Sequence, residues 1–160
     1  MPADDAAAAP DAWIDFLNAD GRPLEAALGR WLERDGPATA VRTLVLTAEG
    51  ERASALNAGL WTFDPASFLP HGGPGDGDPA EHPVWIAAEA PDAAAGRIVV
   101  VDDAAPADWA AYAARMYLFD ARDGAARDVA RARWRDWSAE GRSLAYWSFD
   151  GGDWRLERRG

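Results

Sequence analysis

Val41 to Trp61 reads VRTLVLTAEGERASALNAGLW, and the change of hydrophobic period inside it decides the fold class. Val41 to Leu46 is an apolar, β-branched run broken by one charge, as in a strand buried on both faces. From Glu51 to Trp61 the inward candidates Ala53, Leu56 and Leu60 recur at helical intervals instead. The same succession precedes it. AWIDFL, residues 12–17, reads as a short buried strand; after the Asp20-Gly21 turn, Pro23 opens a helix with Leu24, Ala27, Leu28, Trp31 and Leu32 on one face. Asp35-Gly36-Pro37 is a stop signal for that helix. Strand, helix, strand, helix predicts parallel pairing, hence an α/β domain with a mostly parallel sheet flanked by helices.

Working outward, PVWIAA (83–88) supplies a third strand and RIVVV (97–101) a fourth. Pro106 is expected to open a helix carrying Trp109, Tyr112, Met116 and Phe119. At the far end LAYWSF and DWRLE flank Asp150-Gly151-Gly152-Asp153, which suits a hairpin or an extended tail laid on the surface. Residues 1–11 are small, acidic and proline-containing, as a disordered lead-in would be. The expected organisation is therefore a lead-in over 1–11, one α/β domain over 12–144 and a C-terminal hairpin or tail over 145–160.

Composition excludes several chemistries. There is no cysteine, so no disulfide framework or thiol nucleophile, and all 16 basic side chains are arginine, which removes Schiff-base chemistry and a P-loop lysine. No apolar run approaches membrane-spanning length, and the acidic start MPADDAAAAPD lacks the basic opening of a secretory signal, so a cytoplasmic protein is expected. The net charge of −11 disfavours direct nucleic-acid binding. It is unevenly placed: residues 1–114 hold 6 arginines against 19 acids, residues 115–160 hold 10 against 8.

That basic third contains Ala125 to Leu144, AARDVARARWRDWSAEGRSL, expected to be a helix. Arg127, Arg131 and Arg135 stack at i, i+4, i+8, with Trp134 and Trp137 beside them. Guanidinium forks suit carboxylates and an indole offers an apolar wall with an N–H handle, so this edge could receive an acidic peptide ending in a hydrophobic residue. The plainer alternative is a solvated helix whose tryptophans are core and whose arginines pair with Asp128 and Asp136. A second unusual segment is Leu60 to His71, LWTFDPASFLPH. Asp64 can cap a short turn begun by Pro65, leaving Trp61, Phe63, Phe68 and Leu69 together in a connection. They are either core folded over the sheet edge or an exposed patch for a partner.

These two segments carry a resemblance to the chi subunit of DNA polymerase III. It lies in Leu60-Trp61-Thr62-Phe63, in Ser67-Phe68-Leu69-Pro70-His71-Gly72 followed by a Gly/Pro-rich link and Pro83-Val84, and in Arg127, Ala130-Arg131, Arg133-Trp134-Arg135, Trp137, Gly141 and Leu144. It implies a mononucleotide-binding-like α/β topology without a nucleotide site or cofactor, and a non-catalytic adaptor linking the clamp loader to single-stranded DNA-binding protein by gripping that protein's acidic C-terminal tail. The tail site implied is Arg127, Arg131, Trp134 and Arg135, with Leu144 nearby; Trp61 and Phe68 fall on the side implied to meet the psi subunit or a helicase. The expected state is a monomer or 1:1 heterodimer. Arginine stands where lysine is common in the family and Trp134 where tyrosine is frequent, changes that keep charge and aromaticity.

The rival class is a nucleotide-binding α/β enzyme of unknown substrate. The glycine-rich loop His71-Gly72-Gly73-Pro74-Gly75-Asp76-Gly77-Asp78 lacks the P-loop and dinucleotide patterns and leads into no helix, so it reads better as a flexible linker. His71 and His82 with Asp76, Asp78 and Glu81 lack the spacing that organises metal ligands. Asp102-Asp103 read as a helix-opening turn, and no serine sits in a glycine elbow.

Overall fold

The computed structural model describes residues 13–34, 41–91, 93, 95–105 and 111–160. Along these run β1 (Ile14–Asn18), α1 (Leu24–Arg34), β2 (Thr43–Leu46), α2 (Gly50–Thr62), a 3-10 turn (Pro79–Glu81), β3 (Val84–Ala87) and β4 (Arg97–Val101). β5 (Ala114–Phe119), α3 (Gly124–Ala139), β6 (Leu144–Phe149) and β7 (Trp154–Arg159) complete them. The strands form one sheet in the order β3-β2-β4-β5-β1-β6-β7, and every pairing is parallel except that of β6 with β7. This is the α/β class expected from the period change at Val41–Trp61, with helices on both faces.

β1 to β5 are largely buried on both sides, so side-chain alternation divides the core in two. Leu17, Val45, Ile86, Val99, Met116 and Leu118 face α1 and α2. Phe16, Leu44, Ile98, Val100, Tyr117 and Phe119 face the layer that holds α3. The α1 face is the predicted one, with Leu24, Ala27, Leu28, Trp31 and Leu32 buried, and α2 buries Ala53, Leu56 and Leu60. Among the described residues no helix is long and apolar enough to cross a membrane.

The helix expected to carry Tyr112, Met116 and Phe119 is corrected. Residues 114–119, ARMYLF, are β5, a central strand between β4 and β1. Met116 and Phe119, one helical turn apart in sequence, point to opposite faces of the sheet. The mean spacing of large apolar groups fitted a helix, but the unbroken run with five of six residues buried is the mark of a doubly covered strand. Trp109, residues 1–11 and the Asp35-Gly36-Pro37 stop lie outside the described residues.

The arginine helix also ends earlier than Leu144. Gly141, at φ +82°, takes the left-handed position that ends α3, its N–H donating to Ser138 O at 3.0 Å and that of Arg142 to Trp137 O at 3.1 Å. The chain then turns into β6, which lies in the sheet beside β1, and the Asp150–Asp153 turn folds β7 back on it as a hairpin.

Candidate functional site

α3 is held at its start by Asp123, whose carboxylate accepts from the N–H groups of Ala125 and Ala126 at 3.0 and 3.3 Å. Ala130 is the buried residue of its sheet-facing side, where the helix packs over β5 and β6. Trp134 and Trp137 then meet the Phe16 ring edge-on, with centroids 5.0 and 5.6 Å away. Arg133 turns toward the sheet: its guanidinium lies 4.9 Å from the Tyr117 ring centre and donates to the Ala104 carbonyl at 3.0 Å. It is a structural arginine. Burial pushes the Tyr117 hydroxyl beneath it up to about 12, so the phenol stays neutral.

Arg127, Arg131 and Arg135 occupy the other flank, and with Trp134 they line a cavity of about 400 Å³. Its floor is apolar, formed by Phe16, Phe119 and Ala130. The far wall comes from the hairpin: Tyr146 of β6, and Arg158 of β7, whose guanidinium stacks on the Trp134 indole at 4.8 Å. Burial raises the Tyr146 hydroxyl pKa, so it adds no negative charge. Four guanidiniums thus surround an apolar floor, and none of the lining residues is acidic.

The solvated-helix alternative is half right. The tryptophans do pack on the sheet, but among the described residues Arg131, Arg135 and Arg158 have no carboxylate partner, and Asp136 takes none of these arginines. Arg127 Nε lies 3.5 Å from Asp128 Oδ1 yet makes no hydrogen bond, although this atom is buried. In a chain with 27 acids, such a cluster has the chemistry of an anion site with an apolar seat.

Of the residues read from sequence, Arg127, Arg131, Trp134 and Arg135 are brought together in this cleft. Leu144 is not in its lining: as the first residue of β6 it is 0% exposed in the core beneath α3, so its side chain supports the cleft without touching a visitor. Tyr146 and Arg158 are the residues that sequence reasoning missed. The LERR end of the chain carried the charge, but only the strand pairing puts it beside Trp134.

The aromatic stretch from Trp61, in the last turn of α2, to His71 divides into an anchored part and an exposed part. Phe63 packs on Gly29, where a Cβ would come within 2.4 Å of its ring, and Leu69 joins the same core. Asp64 accepts from the Ala66 N–H and from Arg30 at 2.7 Å, contacts that lower its carboxyl pKa; Ser67 donates to Glu33. His71 is buried, its Nδ1 2.7 Å from Leu69 O and its Nε2 2.8 Å from Asn57 O, with the Trp61 ring 4.1 Å away. Trp61 and Phe68 remain outside, 50% and 78% exposed with ring centres 6.2 Å apart. His71→Ala should therefore lower unfolding stability by roughly 2 kcal/mol, since a buried ring is removed and a carbonyl loses the imidazole N–H it accepts from, whereas Phe68→Ala should stay within about 0.5 kcal/mol of the parent. Urea melts of the two variants check this; equal losses would mean the segment is uniformly core.

The glycine-rich loop is pinned, contrary to the linker expectation. Gly72 bridges Trp85, its N–H donating to Val84 O at 3.0 Å and its carbonyl accepting from Ile86 at 2.9 Å. Asp76 occupies the Gly73 N–H at 2.9 Å, a position a phosphate oxygen would need.

The molecule is thus an α/β domain with one basic, aromatic cleft on the α3 face and an exposed aromatic pair beyond α2 on the other. It belongs to the family described as DNA polymerase III chi subunit, HolC, whose model matches residues 13–145. Over 48 residues, 30% of this chain, it is 35% identical to the probable DNA polymerase III subunit chi of Rickettsia prowazekii (strain Madrid E), a match covering 29% of that relative.

Proposed function

We propose that the protein is a non-catalytic adaptor of the cytoplasmic replisome. It joins the DNA polymerase III clamp loader to single-stranded DNA-binding protein by holding the latter's acidic C-terminal tail in the cleft of Arg127, Arg131, Trp134 and Arg135. One observation carries this reading: four guanidiniums converge on an apolar floor in a protein whose net charge is −11, and three of them, Arg131, Arg135 and Arg158, have no carboxylate partner among the described residues. Remote acids matter little, because the screening length is about 8 Å at physiological salt, while guanidiniums in contact with a carboxylate are unscreened. The apolar seat of about 400 Å³ accommodates one large terminal side chain.

The aromatic pair supports a second contact, with psi or a helicase. Trp61, in the last turn of α2, and Phe68, on the loop after it, stay exposed although that loop is tied down from both ends, an arrangement suited to an anchor in a partner's pocket. The two surfaces lie on different faces, so the adaptor, a monomer or a 1:1 heterodimer before capture, keeps its tail site open while the aromatic pair is engaged.

Capture of full-length single-stranded DNA-binding protein, compared with a form lacking its last residues, tests the function. The intact form should be retained and the shortened one lost, and Phe68→Ala should capture it as well as the parent does. A bare single-stranded oligonucleotide should not bind at physiological salt, since the acidic body repels phosphates. Equal capture of both forms would overturn the proposal.

A further inference from the structure

The cleft is completed by a strand that lies beyond the family match at residue 145, and the way this strand is registered decides what it contributes. β7 pairs with β6 regularly from Phe149↔Trp154 to Trp147↔Leu156; continued without interruption, Tyr146 would face Glu157. A bulge intervenes between Tyr146 and Trp147, so Tyr146 faces Arg158. Directly opposed residues share a face of the sheet, and Tyr146 lines the cleft. The bulge therefore places an arginine at the rim where the regular register would place a carboxylate. Glu157 pairs instead with Arg155, at 3.3 Å.

Arg158 is also preorganised. Its guanidinium lies over the Trp134 indole at 4.8 Å, which orients its donors along the cleft wall facing α3. Trp134 is the wall shared by both sets of cations. An extended acidic peptide seated on Phe16 and Phe119 would run between Arg131 on one side and Arg158 on the other.

Resting on the tail-binding reading above, we infer that Arg158 is a specificity-determining residue, which reads an acidic side chain of the bound peptide from the β7 side and makes the hairpin a working wall of the cleft. Arg158 gives this chain a cation on the wall facing α3, so its peptide must carry acidic residues on both edges of the bound segment.

The test is calorimetry on the full chain with a synthetic peptide carrying a run of aspartates before a C-terminal phenylalanine, and with variants bearing asparagine at one aspartate at a time. Arg158→Gln should weaken the parent peptide about tenfold, as expected for one charge-assisted contact. Against one asparagine variant the same substitution should cost almost nothing, because the contact is already gone. Arg158→Lys should retain part of the affinity. If Arg158→Gln stays within about twofold of the parent while Arg131→Glu abolishes binding, Arg158 is a bystander and only this inference falls. If Arg158→Gln weakens every peptide equally, it merely holds the hairpin in place, and the inference falls again. If neither substitution changes affinity, the peptide lies elsewhere and the tail-binding reading fails too.

Discussion

Arg131→Glu is expected to abolish binding of the acidic tail, a loss of at least about a hundredfold, while the domain stays folded. Each charge-assisted hydrogen bond to a carboxylate contributes about 1.5 to 3 kcal/mol, and reversing the charge replaces that gain with repulsion at short range. Arg131 is exposed and lacks a carboxylate partner among the described residues, so its replacement breaks nothing in the free protein. The effect should appear in the titration with tail peptide and not in the melting midpoint. Rising salt should weaken the parent protein in the same assay. A variant that binds as the parent does would move the site away from α3.

Phe16→Ala should be the most damaging change to the fold and the cleft together, costing about 3 to 5 kcal/mol of stability. Phe16 is 1% exposed in β1 and meets the rings of Tyr117, Phe119, Trp134 and Trp137 edge-on. Its ring is at once the seat of α3 and the floor of the cavity. Truncation would leave a void that neighbouring aromatics, each packed on another element, cannot close. Urea denaturation measures the loss. A cost under about 1 kcal/mol would show that α3 does not depend on this contact, and the cleft geometry would need revision.

The strands and helices that were legible in sequence are those whose burial pattern is local. Leu24, Ala27, Leu28, Trp31 and Leu32 mark α1 because one side of that helix meets water, and the period shows. The doubly covered β2 and β4 were legible through their β-branched residues, whereas β5, ARMYLF, is covered as well but has no β-branched residue, and its spacing imitated a helix. The site divides in the same way. Arg127, Arg131 and Arg135 come together by helical repetition alone, whereas Tyr146 and Arg158 reach Trp134 only through the pairing of β6 with β1 and a bulge in β7. Neither leaves a trace in residue spacing. Leu144, expected beside the site, lies in the core under α3, because Gly141 ends the helix and β6 begins at Leu144.

The α3 cleft is where an acidic, hydrophobic-ended peptide is expected to sit. The most direct measurement is an NMR titration of isotope-labelled protein with the tail peptide, following backbone amides and tryptophan indole N–H signals, with the Trp134 and Trp61 signals assigned by substitution to phenylalanine. The Trp134 indole and the amides around Arg127, Arg131 and Tyr146 should shift together while the Trp61 indole stays in place. Shifts confined to Trp61 and Phe68, with Trp134 unmoved, would contradict the account.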